Sequence, residues 1–129
     1  LGLKLLSCDP EAPALGFDMR PELIGNFSRG MLHGGVISAA LDVAGGLAVM
    51  LQVIQRHVAD DESVEQQLAR TARVSTIDLR VDYLRPGIGT RFHTRTEIMR
   101  AGSRVAVVRA ELLNEANTLI ASAVAAYTV

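Results

Sequence analysis

From Gly34 to about His57, apolar residues fall on nearly every side of a helical wheel. Val36, Ile37, Ala40, Leu41, Val43, Ala44, Leu47, Ala48, Met50, Leu51 and Ile54 leave almost no polar face. The spacing predicts one long helix that is buried all round, so the rest of the chain has to supply something that wraps it. From Arg73 onward the period changes to two. In TIDLRVDYL, Ile77, Leu79, Val81 and Tyr83 alternate with Thr76, Asp78, Arg80 and Asp82. In RFHTRTEIM, Phe92, Thr94, Thr96 and Ile98 oppose Arg91, His93, Arg95 and Glu97. In RVAVVRAELL, Ala106, Val108, Ala110 and Leu112 oppose Val105, Val107, Arg109 and Glu111. The last strand, TLIASAVAAYTV, is rich in alanine, which lets a helix lie close to the sheet.

The connectors RPGIG, RAGS and NEAN have turn composition and hairpin length. They predict four consecutive hairpin-linked strands, an antiparallel meander. LKLL and ALGFDM add one or two short strands before the helix, and ADDESVEQQLAR reads as a loop or a short exposed helix. The expected class is α+β: one domain, residues 1–129, with a long central helix and a curved antiparallel sheet of about five to six strands.

Composition narrows the functions. With 13 basic and 14 acidic side chains the net charge is −1, which gives no electrostatic reason to expect nucleic acid or an anionic membrane as partner. A local arginine cluster could still hold a small anion. The apolar run Val36–Leu51 contains Asp42 and falls short of the ~20 residues a membrane span needs. LGLKLLSCDP has neither a basic leader nor a long apolar core, so no secretory signal is expected. A single cysteine, Cys8, allows no disulfide framework, fits a reducing, cytoplasmic setting, and reads as a small buried hydrophobe. His33, His57 and His93 are too scattered for a zinc site, and no metal or cofactor is expected.

Two features of the helix carry chemistry. His33-Gly34-Gly35 stands at its start, where free backbone N–H groups and the helix dipole favour an anion or oxyanion. Relief of a tight turn is the plainer reading. Asp42 sits within the apolar stretch, with Ser38 one turn before it and Gly45-Gly46 one turn after. It is either a general base or nucleophile in a crevice, or a buried acid satisfied by Ser38 or an arginine. Gly34 and Asp42 are eight residues apart, about 12 Å along the axis. One reaction can use both only if two chains, packed about a two-fold axis, bring Gly34 of one near Asp42 of the other. Arg85, Arg100 and Arg104 lie at strand ends and turns, where they could grip phosphates or simply be solvated.

HGGVISAALDVAGG, TIDLRVDYLRPG, RAGSRVAVVRAEL and TLIASAVAAYTV, in that order, resemble the hotdog-fold thioesterases of the PaaI type, in particular their YigI-like branch. The resemblance runs from about Gly25 to the C-terminus. It implies hydrolysis of acyl-CoA, medium- to long-chain in this branch, without metal, in homodimers that often pair into tetramers. By it, the Gly34 N–H polarises the carbonyl, with Gly35 and Ser38 beside it. Asp42 of the facing protomer is base or nucleophile, Thr76 holds the water, and His33 shapes the pocket. The family's polar residue six positions before the histidine is replaced here by Phe27, and a one-residue bulge would bring Asn26 into its place. A non-catalytic acyl-CoA binding or sensing module on the same fold, and a structural partner subunit, are the alternatives.

Overall fold

A computed structural model describes all residues, 1–129. Two short strands, β1 (Lys4–Ser7) and β2 (Ala14–Asp18), precede a small ribbon of β3 (Ile24–Asn26) and β4 (Met31–Leu32). The long helix α1 follows at Gly34–Arg56, then a short exposed helix α2 (Val64–Thr71) whose first turn is closed by a Ser63–Gln66 capping box. Strands β5 (Thr76–Tyr83), β6 (Arg91–Ala101), β7 (Val105–Asn114) and β8 (Leu119–Thr128) complete the chain.

The main sheet has six antiparallel strands in the order β1-β2-β6-β7-β8-β5, and α1 packs across one face. The expected meander holds for β6, β7 and β8 but not for β5. The RPGIG segment is not a hairpin. Both sides of β6 are taken, by β2 and β7, so β5 pairs with β8 at the far edge. Its connection therefore crosses three strand spacings, about 14 Å, along the end of the sheet. Backbone bonds hold it there: Leu84 and Arg85 N–H donate to the Ile120 carbonyl, and Leu32 N–H to Gly87.

Alternation in β6 and β7 is as the sequence predicts. Phe92, Thr94, Ala106, Val108, Ala110 and Leu112 are buried against the helix. Phe17 stacks on Phe92 with ring centres 5.2 Å apart. Buried alanines of β8 (Ala121, Ala123, Ala125) face a helix surface that also carries Ala40, Ala44 and Ala48, so the two layers lie close. Small residues on both surfaces make that approach possible.

The helix is not buried all round. Ile37, Leu41, Ala44, Val49 and Val53 lie on the sheet, but Val43 and Met50 are 47% and 36% exposed, and Leu47 is half-buried. At 23 residues α1 is longer than its apolar run suggested, and by length and hydropathy it could cross a bilayer. One face is instead packed on the sheet as the core of the domain. Cys8 is also unlike its expectation: it is exposed, in the loop between β1 and β2.

Gly45 marks where α1 and β8 come closest. A Cβ there would overlap the Tyr127 hydroxyl and come within 2.9 Å of its ring carbon Cζ, whereas at Gly46 it would meet the ring only at 3.7 Å. Glycine within a helix costs ~0.5–1 kcal/mol relative to alanine, and here it admits a buried tyrosine. Gly45→Ala is expected to lower the unfolding free energy by about 1–3 kcal/mol through overpacking, while Gly46→Ala leaves it unchanged or raised. Urea denaturation of the two variants checks this, and equal stability would place the ring elsewhere.

Candidate functional site

The sequence made Asp42 conspicuous, and the fold explains how it is accommodated. Its side chain is half-buried at the margin between α1 and the sheet. Oδ1 accepts a hydrogen bond from the Thr76 hydroxyl at 2.8 Å, and the Tyr127 hydroxyl lies 3.2 Å away. Tyr127 also donates to the backbone carbonyl of Asp42 at 2.8 Å. Oδ2 has no partner in the protein, and no side-chain oxygen is buried unsatisfied, so this atom opens onto solvent space. Neither Ser38 nor an arginine satisfies the acid. The Ser38 hydroxyl donates to the Gly35 carbonyl instead.

Thr76 reaches Asp42 because of a bulge. By strict alternation Thr76 would face away from Leu79. The register shifts at Ile77: Thr76 pairs with Tyr127, and Leu79 with Ala125. Tyr127 and Ala125 share the helix-facing side of β8, so Thr76 and Leu79 share it too, three residues apart. Ile77 is left outside, 52% exposed.

Asp42 and Thr76 line an apolar cleft of about 360 Å³, whose walls include Leu5, Leu15, Val43, Leu47, Met50, Val74 and Tyr127. The helix contributes Val43, Leu47 and Met50 to this cleft, whereas Val36 packs against the core. A larger cleft, about 520 Å³, lies on the outer face of the sheet among Arg95, Glu97, Arg109 and Glu111. Those groups form the Arg95–Glu111 and Arg109–Glu97 ion pairs, and the apolar side chains beside them, Ala12, Pro13 and Ala14, are small.

At the helix start, His33 is the N-cap, and its Nδ1 accepts the Gly35 N–H at 2.8 Å, so the ring proton sits on Nε2. The Gly34 N–H has no acceptor in the protein. It is the free donor at the positive end of a 23-residue helix. Tyr83, at the end of β5, donates its hydroxyl to the Gly34 carbonyl at 3.0 Å. Asn26 is exposed on the β3–β4 ribbon, and its Oδ1 accepts from Ser28. The ribbon has a bulge at Gly25, where Ile24 pairs with Leu32 and Asn26 with Met31, but it precedes Asn26 and does not shorten the stretch from Asn26 to His33.

The arginines do not form one cluster within the chain. Arg85 donates to the Leu119 carbonyl at one end of β8, while the Arg104 carbonyl bonds Val129 at the other, about 30 Å away. Arg100 and Arg104 are exposed around the β6–β7 turn. Close by, Arg56 donates to the carbonyls of Ala101 and Gly102. With Arg70, Arg73, His57 and Ser103 it borders a cleft of about 370 Å³ that sequence reasoning missed. His57, Asp60 and Glu62 bring their ligand atoms within 4.8 Å of one another. Arg70 already grips Glu62 through two nitrogens, however, and His57 bonds Asp60. The Arg70 guanidinium thus already balances the Glu62 carboxylate.

Sequence reasoning also missed Tyr127 and Tyr83. The signal for Tyr127 was available: it is the one aromatic residue in an alanine-rich strand, facing a helix that carries a glycine pair.

Comparison with known proteins agrees with this architecture. The profile of the thioesterase superfamily matches residues 29–121. The medium/long-chain acyl-CoA thioesterase YigI of Escherichia coli K12 is 47% identical over 129 residues, covering all of this chain and 82% of the relative. The protein of the same name from Salmonella typhimurium matches with the same identity and coverage. A crystal structure from Shewanella oneidensis, described as related to the thioesterase superfamily, superposes with a TM-score of 0.93 at 43% identity, covering 100% of this chain and 83% of that one. One long helix against a six-stranded antiparallel sheet, closely superposable on such a relative, is the hotdog arrangement expected from the sequence, and the chain belongs to the thioesterase superfamily.

Proposed function

We propose that the protein hydrolyses medium- to long-chain fatty acyl-CoA thioesters to the free acid and CoA, at a site completed by a second copy of the chain. The observation that carries this reading is the Asp42 carboxylate, held through Oδ1 with Oδ2 open beside an apolar cleft. The name of the YigI relative supports the substrate class. In the proposed reaction, a water molecule attacks the thioester carbonyl carbon and passes a proton to Oδ2 of Asp42. The tetrahedral oxyanion accepts a hydrogen bond from the Gly34 N–H. Collapse breaks the C–S bond, the thiolate takes the proton back from Asp42, and acid and CoA leave. His33 occupies the neighbouring Gly35 N–H, so it shapes the oxyanion site and is not the base.

Gly34 and Asp42 of one helix are too far apart for this, but β5 supplies a way to join two copies. It is an unpaired edge strand, with Ile77, Tyr83 and Leu84 exposed. Antiparallel pairing of β5 with its copy sets the Thr76 end of one against the Tyr83 end of the other. Thr76 holds Asp42 and Tyr83 holds Gly34. The two-fold therefore brings Asp42 toward Gly34 of the partner subunit. It also carries Arg85 of the partner subunit toward Arg73 and the Arg56 cleft, a basic surface suited to CoA phosphates. A cytoplasmic setting, where CoA esters and free thiols coexist, fits a chain with one unpaired cysteine.

Asp42→Ala is expected to fold and to lose at least a hundredfold in kcat across an acyl-CoA panel read by thiol release. A variant that bound acyl-CoA and kept the wild-type rate would remove Asp42 from the chemistry. Gly34→Pro deletes the free N–H and adds a ring whose Cβ would meet Tyr83 at 3.4 Å, an ordinary contact. Proline suits the first position of a helix, and His33 already has the extended backbone (φ −64°, ψ 135°) that a following proline requires. Its kcat should fall by roughly 10²–10³ with little change in Tm. Full activity would mean that the oxyanion is held elsewhere.

A further inference from the structure

The proposed reaction uses Asp42 and Gly34 but leaves open what fixes the carboxylate. A helical aspartate beside a wide cleft can change rotamer, and a base is useful only if its free oxygen points at the water. We infer that Tyr127 is a positioning residue for the reaction: its hydroxyl clamps Asp42 from inside the protein and leaves Oδ2 as the working oxygen. The inference rests on the reading of Asp42 as the general base.

Several independent features converge on this residue. The Tyr127 oxygen contacts both the backbone carbonyl and the carboxylate of Asp42, at 2.8 and 3.2 Å. A group bonded to the main chain and the side chain of one residue restricts the torsions between them. Thr76 bonds the same Oδ1 from β5, so two strands grip one oxygen and none grips the other. Tyr127 is itself 1% exposed, packed within the core cluster of Ala48, Val49 and Val108. The helix is cut away to receive it, since no side chain fits at Gly45. Burial, then the neighbouring Asp42 charge, pushes the phenol above the usual tyrosine range. The hydroxyl therefore keeps its proton at neutral pH and donates to Asp42.

Tyr127→Phe keeps the ring and removes the clamp. With acyl-CoA as substrate, kcat should fall between about tenfold and a hundredfold, the scale of misplacing a reacting group by an ångström. KM should stay within about twofold, because the ring that walls the cleft is kept. Unchanged kcat in a folded variant would reduce Tyr127 to a core side chain. Asp42→Asn, assayed in parallel, separates the two readings. An active Asp42→Asn protein overturns the general base itself, whereas an inactive one beside a fully active Tyr127→Phe protein overturns only the clamp. A second measurement does not need Tyr127→Phe to fold. Followed by tyrosinate absorbance, the higher-pH tyrosine transition of Asp42→Asn should begin at lower pH than in wild type, since the neighbouring charge is gone. An unmoved transition would contradict the contact.

Discussion

The hydrogen bonds that converge on Oδ1 of Asp42 are the constraint around which this fold is arranged. An acid on an apolar helix is costly to bury unless it is bonded. Here the bonds come from two neighbouring strands, Thr76 on β5 and Tyr127 on β8. Each donor depends on a departure from regularity. Thr76 faces the helix only because Ile77 is bulged out of β5, and Tyr127 fits only because position 45 has no side chain. Local regularity is given up at both places, and one carboxylate is held in one orientation. The same contact ties the helix to the edge of the sheet.

The protomer leaves two surfaces that it does not cover. One is the helix face of Val43 and Met50, and the other is the free edge of β5. They adjoin at the Asp42 cleft. Pairing of two β5 edges would extend the sheet and cover exposed apolar groups, and would set a free helix N–H beside an ionised carboxylate across the two-fold. In the proposed reaction catalysis and assembly share a cause: the Gly34 N–H, proposed to polarise the carbonyl, and Asp42, proposed to activate water, stand too far apart on one helix to act without a second copy.

Much of this was legible in the sequence, where periodicity is local. The bounds of α1 and the inward faces of β6 and β7 follow from spacing alone, and Asp42 stood out as the one acid in an apolar helix. What failed was non-local. Nothing in TIDLRVDYL says that its neighbour is the last strand and not the next, because that depends on β6 being occupied on both sides. The bulge at Ile77 is a property of the pairing with β8, so alternation put Thr76 on the wrong face. Arg85 and Arg104, grouped by composition, are separated by the length of β8. Helix apolarity was read as complete burial, although part of that surface is open in the single chain.

The shared site is tested most directly by mixing two defects. Chains carrying Asp42→Ala and chains carrying Gly34→Pro, each expected to be inactive as homodimers, are co-expressed with different tags, and acyl-CoA hydrolysis is measured. If the two groups act across a two-fold, half the dimers are mixed and each mixed dimer has one intact site, which restores about a quarter of the wild-type activity per chain. If each chain carries its own complete site, the mixture stays as inactive as its two components, and the account is wrong.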